Sequence, residues 1–182
     1  MLSRLAMGVL PLLLFACVPE EAVSTPNTPP IDAARNSTPG AASENRAPEF
    51  DKISVSGEQI SPETYSGNPV IVSFWATTCV PCRRELPMLE QLASEHSASN
   101  LSVLTINTGE PHDLINEFFE DISVDLPVIV DTDGILATEF ELLFLPMTYF
   151  IDGDWNLLYR TIGEPNEKQL EHGLNLILPT SS

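Results

Sequence analysis

Val70-Ile71-Val72-Ser73-Phe74-Trp75 is a nearly continuous apolar, β-branched run, and shortly after it stand Cys79 and Cys82 at the head of a helical pattern. A run of that kind reads as a strand buried on both faces, which places it in the middle of a sheet with layers on either side. From Pro81 to His96 the residues Cys82, Leu86, Leu89 and Leu92-Ala93 recur at spacings of three to four. The chain therefore passes from a central strand almost directly into an amphipathic helix, which Pro87 is expected to kink.

The rest of the pattern extends this layout. Leu101 to Ile106 reads as a second buried strand, and helical spacing returns at Leu114, Ile115, Phe118 and Phe119. Val128 to Val130 is a short strand ending at Asp131, and Asp133-Gly134 leads into a brief helix around Leu136 to Phe140. Met147 to Ile151 and Asn156 to Thr161 pair as a hairpin across Asp152-Gly153-Asp154, before a last helix from about Asn166 to Leu178. Near the start of this region, Ile53 to Val55 and Gln59-Ile60 predict a hairpin around Gly57. Strands alternating with helices, closed by a hairpin and a helix, specify an α/β sandwich around a mixed sheet. The 182 residues hold one such domain plus accessories, and no internal repeat is visible.

The accessories precede the domain. Residues 1–16 carry Arg4 and then an apolar stretch from Leu5 to Phe15, the length of a signal-peptide core and too short for a mature transmembrane helix. The stretch ends in Leu14-Phe15-Ala16-Cys17, which resembles the bacterial lipobox; the resemblance implies lipidation of Cys17. Residues 17–46 are rich in Pro, Ser, Thr, Asn and Ala without helical or strand period, and read as a disordered tether. Such a tether reaches roughly 100 Å fully extended and spans roughly 30 Å as a coil. Residues 47–182 then form the folded head.

Charge narrows the partners. The formal net charge is −18 and no basic patch interrupts it, which excludes nucleic acid. An acidic surface of this kind serves solubility, or a basic partner.

Three cysteines leave one pair if Cys17 is consumed by a lipid. Cys79 and Cys82 sit where a helix begins, and the unpaired N–H groups and dipole there stabilise a thiolate. Cys79, nearer the helix start, is expected to be the exposed attacking thiol, and Cys82, in the first turn, the buried resolving one. Zinc would need two further ligands, and His96, His112 and His172 are scattered without ligand spacing, so no metal and no cofactor is expected. A purely structural disulfide is the alternative, unusual in so tight a loop.

Several motifs in order carry a family resemblance: Ala47-Pro48-Glu49-Phe50, the run Phe74 to Pro87, Asn107-Thr108-Gly109-Glu110, Leu126-Pro127-Val128, and Leu145 to Asp152. From Ala47 to about Leu178 the chain resembles the TlpA/ResA group of thioredoxin-like reductases. The resemblance implies a thioredoxin-like three-layer sandwich with an N-terminal hairpin. It also implies a membrane-tethered thiol–disulfide oxidoreductase that reduces disulfides of exported proteins, often in cytochrome c maturation, and is resupplied by a membrane thiol reductase. On that pattern the protein faces the periplasmic side of a bacterial membrane.

Residue by residue, Pro146 matches the family's cis-proline, which would leave the backbone of Leu145 free to pair with a substrate chain. Glu85 matches the glutamate that tunes thiol ionisation, and helical spacing puts it on the face of Cys82. Ser73 occupies the position of thioredoxin's buried aspartate, which leaves Glu85 as the nearest proton acceptor. Trp75 is expected to support the site and contribute to substrate binding, and Arg83 and Arg84 to add positive charge near Cys79. Glu110 reads as a turn or cap acid. Where the family has a second tryptophan before the first cysteine, this chain has Thr78. Two other chemistries use paired thiols. A peroxidase of peroxiredoxin type needs a Pro-x-x-x-Thr-x-x-Cys setting, for which Pro69 stands too far from Cys79; a copper-binding chaperone usually adds a histidine near the cis-proline, where this chain has none.

Overall fold

A computed structural model describes residues 45–179; the expected signal segment, Cys17 and nearly all of the tether lie outside them. The central sheet has five strands in the order β5-β4-β3-β6-β7. These are β3 (Val70–Trp75), β4 (Ser102–Asn107), β5 (Val128–Val130), β6 (Met147–Ile151) and β7 (Leu157–Ile162). β3 runs parallel to β4, and β4 to β5, while β6 lies antiparallel to β3 and β7 antiparallel to β6. The mixed sheet follows from the connections: long helical crossovers join the parallel strands, and a tight turn joins β6 to β7. Four α-helices complete the described residues of the head: α1 (Val80–Glu95), α2 (His112–Ile122), α3 (Ile135–Glu139) and α4 (Glu167–Ile177).

Alternation along β3 divides the core. Val70, Val72 and Phe74 point to one face, where Leu136 and Phe140 join Leu104, Ile106, Tyr149 and Ile151. Ile71 points to the other, where Leu89 of α1 and Leu170, Leu174 and Ile177 of α4 cover it. Every residue of β3 is buried, as the unbroken apolar run requires of a strand covered on both faces. Gly173 sets the closeness of α4: a Cβ there would lie 2.4 Å from the Phe150 ring, so any larger residue would push the helix off β6.

The N-terminal hairpin forms as expected, with β1 (Lys52–Ile53) antiparallel to β2 (Gln59–Ile60). It is fastened to the sheet edge by the Val55 N–H donating to the Val128 carbonyl at 2.9 Å. The segment before it docks through the Trp155 indole, which donates to the Pro48 carbonyl and stacks on Tyr65.

Pro87 lies inside α1, where its missing N–H removes a single rung of the ladder. One sequence expectation changes in detail. Leu114, expected in the buried stripe of α2, is 45% exposed; Ile115, Phe118 and Phe119 supply that face.

Candidate active site

The β3–α1 junction brings the two cysteines together as a disulfide, with Cα atoms 5.3 Å apart. Cys79 is the N-cap of α1, and its Sγ accepts the Cys82 N–H at 3.3 Å. That contact, on one of the orphan donors of a helix start, is also available to a thiolate. The two sulfurs differ sharply in access. Cys79 is half-buried, whereas Cys82 is fully buried among Trp75, Leu86 and Phe118. Pro81 is tolerated in the first turn because no intrahelical N–H is required there.

The loop ahead of Cys79 is braced from β4. Glu110 accepts the Thr77 N–H at 2.7 Å and the Thr77 hydroxyl at 2.6 Å. The same carboxylate accepts from the Asn107 amide at 2.7 Å, and the Glu110 N–H returns to the Asn107 side chain at 2.8 Å. Burial works to raise its pKa, but the bonds from Thr77 and Asn107 outweigh it and hold Glu110 below the usual carboxylate range. Glu110 is thus a brace for the thiol loop. Asn107, which the sequence reading did not single out beyond its motif, completes it.

Within the first turns of α1 lies a carboxyl that the apolar layer would otherwise exclude. Glu85 is fully buried on α1, one helical turn after Cys82. The Thr148 hydroxyl of β6 donates to its Oε1, and its Oε2 has no hydrogen-bond partner. Burial pushes the carboxyl up to about 7; the Thr148 bond opposes this, Glu164 adds to it, and the nearby Ser73 hydroxyl, outside hydrogen-bonding geometry, pulls back. Sheet register explains why polar side chains gather here. Ser73 stands opposite Thr105 on β4 and Thr148 on β6, and Thr148 opposite Thr161 on β7, so one polar row crosses four strands under α1. All four are buried, and the Ser73 and Thr161 hydroxyls are also without hydrogen-bond partners.

Trp75 packs in the core beside the site. Its indole is fully buried and stacked on Phe118 and Phe119, each with ring centroids 5.0 Å away. It holds the floor of the site and has no surface left for a partner. Arg83 and Arg84 are each paired, Arg83 with Asp121 at 2.6 Å and Arg84 with Glu164 at 2.5 Å, which offsets the charge expected of them near Cys79.

The Leu145–Pro146 peptide is cis. Leu145 and Cys79 both pack against the cluster that includes Trp75, Cys82 and Leu86. Exposed apolar side chains surround them: Val80 between the cysteines, Leu143 and Phe144 before the proline, and Ile162 opposite Met147. Sequence reasoning did not single out Leu143, Phe144 or Ile162. Apolar neighbours along the chain, Phe140, Leu142 and Leu145, make the first two look like part of a core run.

A two-cysteine disulfide at a helix start, on a thioredoxin-like sandwich and beside a cis-proline, defines a thiol–disulfide oxidoreductase. The chain belongs to the AhpC/TSA family, which it matches over residues 44–160, and it stands with the TlpA/ResA-like thioredoxin-fold members. It is 31% identical to thioredoxin-like protein YneN of Bacillus subtilis over 134 residues, covering 72% of this chain and 78% of that protein. It is 26% identical to thiol-disulfide oxidoreductase ResA of Bacillus thuringiensis subsp. konkukian over 133 residues, covering 73% of this chain and 77% of that one. Among solved structures, a thioredoxin-family thiol:disulfide interchange protein from Chlorobium tepidum TLS superposes with a TM-score of 0.66 at 23% identity. That superposition covers 74% of this chain and 97% of the other.

Proposed function

We propose that this protein is an extracytoplasmic, lipid-anchored reductant of disulfides in exported proteins, apocytochrome c among the candidate clients. The observation that carries the reading is the asymmetry of the pair: one reachable sulfur at the helix cap, and one buried sulfur a turn away from a carboxyl poised near neutrality. Cys79 thiolate attacks a substrate sulfur, forming a mixed disulfide and releasing the substrate's first thiolate. Cys82 then gives its proton to the Glu85 carboxylate and attacks the Cys79 sulfur. The second substrate thiolate leaves and takes up a proton, so two electrons have passed to the substrate and the Cys79–Cys82 disulfide remains. A membrane thiol reductase restores the dithiol.

The apolar rim of Val80, Leu143, Phe144 and Ile162 suits a client that presents its cysteines on an extended, incompletely folded chain. On this reading the Leu145 backbone pairs with that chain as an added strand, and Pro146 keeps the approach to Cys79 open. Turnover separates the chemistries. Reduced protein is expected to reduce insulin disulfides, with Cys79→Ser losing the activity and peroxide left unconsumed. Rapid peroxide consumption with no insulin reduction would replace the reading with a peroxidase.

Attachment to the membrane rests on Cys17. No helix among the described residues is long and apolar enough to cross a membrane. Cys17→Ser is expected to release the head from membrane fractions or to stall precursor processing. A mutant that fractionates like wild type would remove the lipid anchor from the proposal and leave export alone.

A further inference from the structure

Arg84 and Glu164 are 80 residues apart in sequence and form a two-pronged ion pair: Arg84 Nε lies 3.0 Å from both carboxylate oxygens, and its terminal nitrogen 2.5 Å from one. Glu164 belongs to the turn between β7 and α4. The preceding residue, Gly163, donates its N–H to the Pro146 carbonyl at 2.8 Å. One short turn therefore grips the cis-proline with its backbone and the active-site helix with a side chain. Arg84 is also the immediate neighbour of Glu85, while Thr148, which donates to Glu85, lies two residues past Pro146 on β6.

We propose that the Arg84–Glu164 pair is a positioning clasp: it fixes α1 against the cis-proline loop and sets opposite charges beside Glu85, so that Arg84 limits the bias Glu164 places on that acid. The inference rests on Glu85 acting as the proton acceptor for Cys82. The groups facing Glu85 leave few other sources of charge. On its own helix Cys82 stands a turn before it, and Arg84 is its neighbour in sequence; Ser73 of β3, Thr148 of β6 and Thr161 of β7 are uncharged. Arg160 of β7 stands opposite Tyr149, on the other face of the sheet, and pairs with Glu141. Glu164 is the acid whose charge raises the affinity of Glu85 for a proton. Its pairing with Arg84 in turn lowers its own pKa, so Glu164 is ionised whenever Glu85 titrates.

The charges predict opposite effects from the two halves of the pair. Glu164→Gln removes a negative charge and leaves Arg84 unbalanced, so Glu85 should titrate lower; Arg84→Gln leaves Glu164 unbalanced, so Glu85 should titrate higher. Each shift should be about half a unit at low salt and should shrink as salt is added. The double variant should return close to wild type. Carbon-13 NMR of the Glu85 carboxyl in the oxidised protein reads this directly, and the pH midpoint of thiol exchange in the reduced protein should move the same way. A clasp that only packs α1 would give shifts of the same sign in both single variants, or none, and either result overturns the inference. Glu85→Gln is the control: an exchange profile identical to wild type would reject Glu85 as acceptor while leaving the NMR shifts to judge the clasp.

Discussion

Cys82→Ala, expressed in cells, is expected to accumulate covalent, reductant-sensitive adducts with its clients, roughly tenfold or more above Cys79→Ala. The expectation follows from the positions of the two sulfurs. With Cys82 gone, Cys79 still attacks from the cap of α1, but nothing resolves the mixed disulfide. With Cys79 gone, the remaining thiol is fully buried beneath the helix start and reaches no partner. Non-reducing gels of trapped complexes give the comparison, and mass spectrometry of the adducts identifies the clients. Equal trapping by the two variants would contradict the assigned roles. No trapping by either would shift weight to a thiol-based copper carrier, which copper titration of the reduced protein would then detect.

Glu85→Gln should change how stability depends on pH. The carboxyl is held at about 7 in the folded protein against an ordinary 4.5. Because the folded value is the higher one, this group's contribution is fully present below about pH 4.5 and is lost as pH rises through about 7. At about 1.4 kcal/mol per unit, the wild type should lose about 3 kcal/mol relative to Glu85→Gln between those limits. Denaturant unfolding of the two oxidised proteins from pH 4 to pH 9 measures the difference. Parallel curves would mean that Glu85 is ionised normally and is no reserve acceptor for Cys82. In the reduced protein the same substitution should slow resolution by Cys82 near neutral pH and leave the initial attack by Cys79 nearly unchanged.

The sheet and the cysteine pair were readable in the sequence because each has a local signal. Val70 to Trp75 is too apolar for any place but the centre of a sheet, and the helical spacing of Leu86, Leu89 and Leu92 begins at the cysteines. Glu85 was placed on the face of Cys82 by its turn-length distance, and its role was readable only through the family resemblance, which matches it to a tuning glutamate and sets Ser73 where thioredoxin has its buried aspartate. What surrounds Glu85 was not. Thr148 and Thr161 look like ordinary strand threonines until the antiparallel register aligns them with Ser73 into one buried row. Arg84 and Glu164 become partners only when the β7–α4 turn folds back over α1, and no spacing rule links positions so far apart. Leu114 shows the opposite failure: it has the right spacing for a buried stripe, but the covering layer ends before reaching it. Trp75 was placed correctly beside the site. Only the stacking of Phe118 and Phe119 shows that its indole is sealed off from any partner.

The direction of electron flow is the heart of the proposal, and the equilibrium between the Cys79–Cys82 disulfide and a redox buffer measures it most directly. Incubation at neutral pH with graded ratios of reduced to oxidised dithiol, followed by alkylation and mass determination, yields the reduction potential. A value comparable to the roughly −270 mV of thioredoxin is predicted, because a reductant must give up its electrons readily. A value near about −120 mV, that of a strong oxidant, would contradict the proposal and make this protein a donor of disulfides.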